Sequence, residues 1–310
     1  MKILITGISG FVGPHLARYI FGLNEDHEIY GTIKNRSDVK NIPAYVTPVE
    51  CELKDSKNVN DLIESLKPDI IFHLAAQSFV HSSWKSPADT LINNIISELN
   101  ILEAVRQFAP DCIIQIAGSS EEYGEPESTP IIETDQLNPL SPYGVSKVTQ
   151  EKLAFQYHKS YGLKTVLTRA FNHTGAGRDP RFAEATFAKQ LADPNVNTIK
   201  VGNLEAIRDY TDVRDMVRAY WLAANAGVYG EPFNICSGIG IRMSDLLQVL
   251  ITVSGRSDVA IVQDPLRMRP SDLQVLIGNC DKFKALTGWQ PEIKLEQTLK
   301  DIYEYFKENK

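Results

Sequence analysis

Short apolar segments alternate with amphipathic segments through the first 170 or so residues of the chain. The apolar segments have the length and β-prone composition of buried strands, and they cover residues 2–6, 28–33, 44–50, 69–73, 112–117 and 165–169. The segments between them repeat apolar positions with a helical period, at residues 11–20, 59–66, 90–108 and 143–161, and a further helix is predicted from residue 212. Strands that alternate with helices in this way pair in parallel through crossover connections. The pattern therefore predicts an α/β fold built on a doubly wound parallel sheet, with ligands at the carboxyl ends of its strands.

A glycine motif follows the first predicted strand directly. Gly7, Gly10 and Gly13 are each separated by two residues, and a helical pattern begins at Phe11 and Val12. In such a turn the first glycine allows the sharp change of direction, the second lets the backbone approach a pyrophosphate, and the third lets helix and strand pack closely. The N-terminus of the helix adds unpaired N–H groups and a partial positive charge. Its place between an N-terminal strand and a helix makes this motif a predicted dinucleotide-phosphate cradle of the Rossmann type.

A second motif predicts proton transfer. Tyr143 and Lys147 lie four residues apart on a predicted helix and therefore share one face. A tyrosine with an ordinary pKa of about 10 is a poor acid–base group at neutral pH. A nearby ammonium and the positive charge of an oxidised nicotinamide would favour the phenolate and lower that pKa. With Ser119 upstream at the end of a predicted strand, the two motifs together indicate an enzyme that moves hydride between a nicotinamide and a carbon bearing oxygen.

Composition sets the broad class of protein. The 310 residues are 43% apolar and 23% charged, which is typical of a soluble globular chain, and the net charge of −7 argues against a nucleic-acid-binding surface. The four cysteines, Cys51, Cys112, Cys236 and Cys280, are scattered without a C-x-x-C pair. They are typical of reduced cysteines in a cytosolic protein, and they predict neither a disulfide framework nor a metal site. No apolar run has membrane length and no signal peptide is visible, so we expect a cytoplasmic protein without a membrane partner.

The end of the second predicted strand bears on the choice of cofactor. Enzymes that use NAD usually carry a carboxylate there, which holds the ribose hydroxyls. Residues 31–37 contain no carboxylate, and they include Lys34 and Arg36, whose charges suit a 2′-phosphate. The sequence therefore favours NADP(H). The alternative is that these residues form a solvated basic turn.

The glycine spacing resembles that of the extended short-chain dehydrogenase/reductase family, most of whose members act on nucleotide-sugars. The resemblance runs the whole length of the chain and includes residues 73–76, Asn94, residues 119–124, and Tyr143 with Lys147. It implies that Tyr143 is the acid–base group, that Ser119 hydrogen-bonds to the reacting oxygen, and that Lys147 also holds the nicotinamide ribose. It further implies cofactor contacts from Glu52, which departs from the family's aspartate, and from Leu53, Leu74, Ala75 and Ala76.

The same resemblance implies a two-part molecule. The predicted cofactor-binding domain comprises residues 1–171 and about 206–234. After residue 171 the rhythm becomes irregular, and a smaller, discontinuous substrate-binding domain is expected from about 172–205 and 235–310. Family members usually pair into dimers through two helices, which here are predicted at about 90–108 and 143–161.

Residues 169–177 indicate the substrate. Their sequence, Arg-Ala-Phe-Asn-His-Thr-Gly-Ala-Gly, resembles a loop of GDP-4-keto-6-deoxymannose reductases, although Thr174 and Ala176 depart from it. By this resemblance Asn172 lies near the sugar and diphosphate. A histidine in such a loop is more often structural than catalytic, so His173 is not assigned as an acid. The remaining residues expected to bind a GDP-sugar are Ser120, Glu121, Lys189, Val201, Asn203, Arg208 and Arg269. For Arg208 the alternative is an ordinary salt bridge with Asp209 or Asp212.

Glu121 favours a different reaction. It lies two residues after Ser119, where 4,6-dehydratases have a glutamate that removes the C5 proton, whereas a reductase needs no such base. We therefore predict NADPH-dependent reduction of the C4 keto group of GDP-4-keto-6-deoxy-D-mannose to GDP-D-rhamnose, with Ser119, Tyr143 and Lys147 as catalytic residues. The alternatives are a GDP-mannose 4,6-dehydratase or bifunctional dehydratase–reductase that also uses Glu121, a nucleotide-sugar epimerase, and a cofactor-binding regulator without catalysis.

Overall fold

The computed structural model describes residues 1–23, 25–35, 39, 42–268 and 273–309. Its strands are β1 (Lys2–Thr6), β2 (Glu28–Ile33), β3 (Val46–Glu50), β4 (Ile70–His73), β5 (Ile113–Ser119), β6 (Lys164–Ala170), β7 (Asn172–Thr174), β8 (Thr198–Val201), β9 (Ile207–Asp212), β10 (Pro232–Ile235), β11 (Gly240–Arg242), β12 (Ala260–Gln263) and β13 (Val275–Leu276). Its α-helices are α1 (Val12–Gly22), α2 (Ser56–Leu66), α3 (Val80–Lys85), α4 (Pro87–Leu91), α5 (Ser97–Phe108), α6 (Pro142–Tyr161), α7 (Ala183–Ala192), α8 (Val213–Asn225), α9 (Met243–Ser254), α10 (Asp281–Thr287) and α11 (Leu295–Glu308).

A seven-stranded sheet forms the centre of the molecule. Its order is β10-β6-β5-β4-β1-β2-β3, and every pairing in it is parallel. The predicted doubly wound sheet is therefore confirmed, and the order changes direction between β1 and β4. The edge strand β10 was not among the six strands predicted, because it is only four residues long and pairs with β6, more than 60 residues earlier in the chain.

Helices cover both faces of this sheet, so its central strands are apolar on both sides. On one face α1 and α8 pack in a core that contains Ile5, Leu16, Met216 and Tyr220. On the other face the helices α2, α5 and α6 contribute to a second core. This two-sided burial explains why β1 and β4 have continuous apolar sequences and no alternation of polar positions.

The chain beyond β6 forms a second group of elements. The strand β9 pairs with β7, β11 and β13, and β8 pairs with β12. The helices α7, α9 and α11 bury a separate apolar core around Phe187, Leu246 and Leu299. The predicted boundaries differ from this packing at two points. The strand β9 lies in the second sheet, and Phe283 and Trp289 pack into the core of the central sheet with α1 and α8.

The long helix predicted at 90–108 is interrupted. It begins as α4, continues through a π-helical segment, Ile92–Ile96, and resumes as α5. In this segment the Asn94 amide donates to the Ser146 hydroxyl on α6 at 2.9 Å, and its oxygen accepts from the Gln77 N–H at 2.8 Å. The Gln150 amide of α6 donates to the Asn94 carbonyl at 3.0 Å. The interruption therefore ties the loop after β4 to the helix that carries Tyr143. Of the helices that the structure describes, none combines the length and the apolar sequence required to cross a bilayer.

Candidate active site

A cleft of about 1360 Å³ opens at the carboxyl ends of six strands of the central sheet. One part is lined by the turn after β1 and by the ends of β2, β3 and β4. The middle is lined by residues at the ends of β5 and β6 together with Tyr143 and Lys147. The far part is lined by residues of the second group of elements, among them Asn203, Arg208 and Tyr210.

The glycine turn forms the first part of the cleft, and its geometry requires glycine. Gly7 has a φ of +69°, and a Cβ there would lie 3.0 Å from the Cα of Ala75. A Cβ on Gly13 would lie 2.7 Å from both the Cα and the carbonyl oxygen of Ile8, so α1 could not pack as close to the turn. Phe11, which precedes α1, has no side-chain oxygen to cap the helix, and the first turn of α1 contains no acidic residue. The turn therefore fits the pyrophosphate of a dinucleotide, which would receive the exposed N–H groups of α1.

A hydroxyl network holds this turn against the neighbouring strands. The Thr6 hydroxyl accepts the N–H groups of Leu74 and Ala75 at 3.1 Å each, and it is paired with Nδ1 of His73 at 2.9 Å. The Thr32 hydroxyl accepts the N–H of Gly7 at 3.2 Å. Leu74, Ala75 and Ala76 consequently line the cleft opposite the glycine turn, where the sequence predicted them.

The rim beside β2 and β3 carries the residues predicted to distinguish the cofactors. Lys34 is exposed and lines the cleft, as do Glu52 and Leu53. The Leu53 carbonyl is held by the Asn100 amide at 2.9 Å, and a Glu52 oxygen accepts the N–H of Lys54 at 3.2 Å. Arg36, the second predicted cation at this rim, lies outside the described residues.

Ser119 is positioned by a local capping interaction. Its hydroxyl accepts the N–H of Glu121 at 3.2 Å, while a carboxylate oxygen of Glu122 accepts the N–H of Ser119 at 2.6 Å. This reciprocal pair caps a single 3-10 turn, Ser120–Glu122, that directly follows β5. Ser119, Ser120 and Glu121 all line the cleft as a result.

Tyr143 and Lys147 meet Ser119 from the other side. The helix α6 begins at Pro142, with the Ser141 hydroxyl accepting the N–H of Gly144 at 3.0 Å. The Tyr143 hydroxyl is hydrogen-bonded to Ser119, and the Tyr143 side chain is nearly buried at 8% exposed. The Lys147 ammonium donates to the Ala117 carbonyl at 2.7 Å and lies 5.9 Å from the centre of the Tyr143 ring. The three predicted catalytic residues are thus brought together from two elements.

The acidity of Tyr143 differs from what the sequence indicated. Burial raises the pKa of its hydroxyl, and this outweighs the opposing effects of the Ser119 hydrogen bond and the positive charge of Arg178. The negative charges of Glu121 and Glu122 raise that pKa further. The predicted lowering of this pKa depends on two positive charges together: that of an oxidised nicotinamide and that of the Lys147 ammonium, which here donates to the Ala117 carbonyl. In this state Tyr143 is a neutral hydroxyl that can give a proton.

Buried charges lie behind the catalytic residues. Glu98 on α5 is fully buried, and burial raises the pKa of its carboxyl well above the ordinary value, although the Lys147 ammonium opposes the shift. Burial, followed by the charge of Glu151, raises the pKa of Glu122 to about 8. Arg169 pairs with Glu151 through two hydrogen bonds, at 2.6 and 2.8 Å. Lys147 therefore stands in a dry site beside two buried carboxyl groups, Glu98 and Glu122, whose raised pKa values favour their protonated forms.

The far part of the cleft contains some of the residues predicted to bind substrate. Asn172, Asn203 and Arg208 line it, and Nη1 of Arg208 donates to the Ile207 carbonyl at 2.9 Å. His173 also lines it, with Nδ1 paired to the Phe171 carbonyl at 3.1 Å, and burial and the Arg178 charge lower the pKa of His173 to about 4.

Two other residues predicted to bind substrate do not line the cleft. Lys189 is an exposed residue of α7 and Val201 is buried in the apolar core of the second group, so neither is among the residues that line the cleft. Arg269 lies outside the described residues.

Arg178 also lines the cleft, although it is not among the residues predicted from the sequence. Its guanidinium lies 3.5 Å from the centre of the Phe182 ring and 4.8 Å from that of Phe11, so it spans from the glycine turn to the substrate end. It also lies 3.8 Å from the Glu184 carboxylate. The signals in the sequence were the position of Arg178 directly after the glycines of residues 175–177 and Phe182 four residues later, whereas Phe11 comes from a distant segment.

No cluster of three or more His, Cys, Asp or Glu side chains suited to a metal ion occurs within the described ranges. The cleft combines a pyrophosphate cradle with a proton donor and a set of polar side chains.

Comparison with known proteins agrees with this arrangement. A family model described as GDP-mannose 4,6 dehydratase matches residues 4–302. The GDP-6-deoxy-D-mannose reductase of Pseudomonas aeruginosa is 31% identical over 307 residues, which cover 97% of this chain and 95% of that protein.

Solved structures are similar over the whole chain. The structure of RMD from Pseudomonas aeruginosa complexed with NADPH has a TM-score of 0.88 and 29% identity, and the match covers 100% of this chain and 99% of that one. The UDP-glucose 4-epimerase of Thermotoga maritima with UDP-glucose has a TM-score of 0.91 and 29% identity, with the same coverage. The predicted family is confirmed: the chain belongs to the extended short-chain dehydrogenase/reductase family, in the group matched by the GDP-mannose 4,6 dehydratase model.

Proposed function

We propose that this protein reduces the C4 keto group of GDP-4-keto-6-deoxy-D-mannose with NADPH and forms GDP-D-rhamnose. The observation that carries the proposal is a buried Tyr143, hydrogen-bonded to Ser119 and with a raised pKa, in the same cleft as the glycine turn and Arg208. A reduction needs a group that holds a proton at neutral pH and releases it to a developing alkoxide. The similarity to the Pseudomonas reductase supports the same reaction.

Each catalytic residue has a role that follows from its position. When bound, the cofactor supplies a hydride to the C4 carbon of the sugar. Tyr143 donates the proton to O4, and the Ser119 hydroxyl hydrogen-bonds the same oxygen and orients Tyr143. The Lys147 ammonium, held on the Ala117 carbonyl, stabilises the phenolate that forms when the proton leaves. Burial of these groups excludes water, which strengthens each of these interactions.

The cofactor preference rests on charge. A nicotinamide dinucleotide fits the glycine turn, and the rim beside β2 carries Lys34 and no carboxylate in the segment from residue 31 to 37. A 2′-phosphate on the adenosine ribose would therefore meet a cation at this rim, which favours NADPH over NADH. The similar Pseudomonas protein forms a complex with NADPH, which supports this assignment.

The substrate assignment rests on the far part of the cleft. We assign the GDP-sugar to the surface formed by Asn172, Asn203 and Arg208, where the guanidinium suits a diphosphate. Arg178 stands between this surface and the cofactor cradle, so its charge reaches both. This places cofactor binding in the central sheet and its helices, and substrate binding largely in the second group of elements.

We also infer a homodimer through α5 and α6. Apolar side chains on α6 are exposed in the single chain, namely Val145 (42%), Phe155 (42%) and Tyr161 (52%). A second copy of the same helix pair would remove them from water.

Dehydration of GDP-mannose is the second candidate, and Glu121 is the observation that favours it. Glu121 lies at the cleft, and its negative charge acts on Tyr143. A carboxylate at this place is suited to remove a proton from C5 of the sugar. The family model with the dehydratase description is consistent with either reaction.

Product analysis distinguishes the two reactions. The protein is incubated with GDP-4-keto-6-deoxymannose and NADPH, and separately with GDP-mannose without added NADPH. We expect one NADPH to be oxidised per ketosugar reduced, and little conversion of GDP-mannose. Efficient loss of water from GDP-mannose without added NADPH would overturn the reductase assignment.

The variant Glu121→Gln tests the second candidate at the same site. Reduction moves no proton at C5, so this variant should retain much of the ketosugar reduction, with a loss of about 1–2 kcal/mol in transition-state stabilisation if the carboxylate orients the loop. The control is Glu127→Gln, because Glu127 is exposed and does not line the cleft. A dehydratase would instead lose formation of the 4-keto sugar in Glu121→Gln and keep it in Glu127→Gln.

A further inference from the structure

Two cysteines far apart in the sequence meet beside the cleft. Cys236 directly follows β10 and is fully buried, whereas Cys280 directly precedes α10 and is partly exposed. The Cys236 thiol donates a hydrogen bond to the Cys280 sulfur. Both side chains belong to the same apolar cluster, which also contains Phe171.

The segments that carry the two cysteines are held together by one buried carboxylate. Asp209 accepts the N–H and the hydroxyl of Ser237 at 2.8 and 2.5 Å, and the N–H of Gly238 at 2.9 Å. The same carboxylate accepts the N–H of Gly278 at 3.3 Å. The backbones next to Cys236 and next to Cys280 therefore converge on one residue, so the approach of the two sulfurs does not depend on mobile side chains alone.

A small oxidant has access to one of the two thiols. Cys280 lines a second cavity of about 390 Å³ with Ser237, Gly278, Asp281 and Lys284. The hydrogen bond from Cys236 lowers the pKa of the Cys280 thiol, and the same bond raises the pKa of Cys236. Cys280 is therefore the more nucleophilic and the more accessible sulfur, with Cys236 directly behind it.

We propose that Cys236 and Cys280 form a redox-active dithiol that a hydroperoxide converts to an intramolecular disulfide. The Cys280 thiolate attacks the peroxide, which forms a sulfur–oxygen bond, breaks the oxygen–oxygen bond and releases hydroxide. The Cys236 thiol then attacks the sulfenic sulfur of Cys280, which forms the sulfur–sulfur bond and releases water. Two electrons pass from the two sulfurs to one hydroperoxide, and an external dithiol returns them.

The pair lies where a covalent change reaches the cleft. A Cβ built on Gly278 would lie 2.6 Å from the Phe171 ring and 2.7 Å from the Cys236 sulfur, so the Gly278 backbone packs tightly between them. Phe171 lines the cleft, and Asp209 is adjacent in the chain to Arg208, which lines it too. Formation of the disulfide therefore acts on residues in direct contact with the proposed substrate surface.

The other two cysteines serve as internal controls. Burial raises the pKa of Cys51 to about 11, and burial also raises the pKa of Cys112, which packs in the apolar core under the central sheet. A weakly acidic, buried thiol reacts slowly with peroxide. Oxidation of the folded protein should therefore spare both.

The test counts and maps the thiols of the full chain. The reduced protein is treated with one equivalent of hydrogen peroxide, denatured in the presence of an alkylating agent, and analysed by thiol titration and peptide mass mapping. We expect the four thiols of the reduced chain to fall to two, a Cys236–Cys280 linked peptide to appear, and dithiothreitol to restore all four. Four thiols after treatment, or a linked peptide that contains Cys51 or Cys112, would overturn the proposal.

Variants identify the order of the steps. In Cys236→Ser, Cys280 should stop at the sulfenic acid, which dimedone traps, and no linked peptide should form. In Cys280→Ser, Cys236 should remain a thiol. The control Cys112→Ala should form the same disulfide as the wild type. Because Cys236 is fully buried, circular dichroism of each variant is compared with the wild type, and the wild-type thiol count remains decisive if a variant does not fold.

Discussion

At the scale of single residues, the environment of each side chain decides what its functional group can do. Tyr143 is nearly buried and hydrogen-bonded to Ser119, and its pKa is raised by burial. The Lys147 ammonium donates a hydrogen bond to the Ala117 carbonyl. A tyrosine in solution titrates at about 10, but there it is hydrated and has no fixed partner. The site thus orients the Tyr143 hydroxyl and excludes water from it. A tyrosine hydroxyl can already donate a proton in solution.

Replacing Tyr143 by Phe should lower the turnover of ketosugar reduction by roughly a hundredfold or more, because a positioned acid contributes about that much. Binding of NADPH should persist, since the hydroxyl is not a phosphate contact. The two measurements are steady-state turnover and a fluorescence titration of NADPH. Tyr161→Phe, on the exposed end of the same helix, should leave turnover unchanged. Near-normal turnover in Tyr143→Phe would remove Tyr143 as the proton donor.

Replacing Lys34 by Ala should weaken NADPH more than NADH, because only NADPH carries the 2′-phosphate that the ammonium would meet. We expect a roughly tenfold rise in the Kd for NADPH, which corresponds to about 1.4 kcal/mol, and little change for NADH. Isothermal titration with both cofactors measures the difference. Lys57→Ala, at an exposed lysine of α2, is the matched control. Equal shifts for the two cofactors would show that Lys34 does not read the phosphate.

At the scale of elements, short contacts between backbones position the site. The helix α1 approaches the turn after β1 so closely that only glycine fits at position 13. Tyr143 and Lys147 lie in the first two turns of α6. Asn94 of the π-helical segment hydrogen-bonds to Ser146 of α6 and to Gln77 in the loop after β4, and so connects the helix to that loop. The cofactor cradle and the proton donor therefore move together with the central sheet.

Replacing Gly13 by Ala should destabilise the fold and weaken the cofactor together. The added methyl group would lie 2.7 Å from backbone atoms of Ile8, which cannot move aside as a flexible side chain does. We expect a loss of about 1–3 kcal/mol in the free energy of unfolding, measured with urea, and weaker NADPH binding as α1 shifts outward. Gly22→Ala, at the end of the same helix, meets open space and should leave both properties essentially unchanged. An unaltered Kd in Gly13→Ala would show that the close approach is not needed.

At the scale of the whole molecule, the carboxyl ends of the central sheet concentrate buried ionisable groups. Burial, assisted by the Lys147 charge, lowers the pKa of His73 to about 3, and burial with the Arg178 charge lowers the pKa of His173 to about 4. Nε2 of His73 has no hydrogen-bond partner among the described residues, which is consistent with a ring that stays neutral. In moderate acid the unfolded chain therefore binds protons at His73 and His173 that the folded chain does not bind.

This difference predicts the response of stability to acid. The ordinary histidine value is 6.5, so between pH 6.5 and about 4 the unfolded chain binds a proton at each of the two positions and the folded chain does not. The contribution of these histidines to the free energy of unfolding should fall with decreasing pH in this window, at up to about 1.4 kcal/mol per pH unit for each histidine, while the raised pKa values of Glu98 and Glu122 act in the opposite direction. Below about pH 4 only His73 continues to contribute.

His173→Gln should remove this residue's share of the pH dependence, so the difference in free energy of unfolding between variant and wild type should change by up to about 1.4 kcal/mol per pH unit between pH 6.5 and about 4. His81→Gln, at a half-buried histidine of α3, is the control. Urea unfolding at a series of pH values measures the slope. The same slope in the His173 variant as in the wild type would contradict the assignment.

The sequence by itself determined the doubly wound sheet, and it predicted the glycine turn and the candidate catalytic residues. These features are local: a strand or helix is encoded in the spacing of nearby apolar residues, and the glycine turn is complete within residues 7–13. The tyrosine–lysine pair shares a helix face because the two residues are four apart, and the pairing of Ser119 with Tyr143 followed from resemblance to a known family.

Only the tertiary structure decided which distant residues meet. The Arg178 guanidinium contacts Phe182, four residues later, and also Phe11 of the distant glycine turn, and the contact with Phe11 exists only in the folded chain. The Cys236–Cys280 pair exists because Asp209 gathers two loops that are 40 residues apart. The rise in the pKa of Tyr143 comes from burial, which no neighbouring residue in the chain reveals. Contacts between remote segments and the burial of side chains are properties of the folded chain. The spacing and composition of the sequence therefore do not predict them.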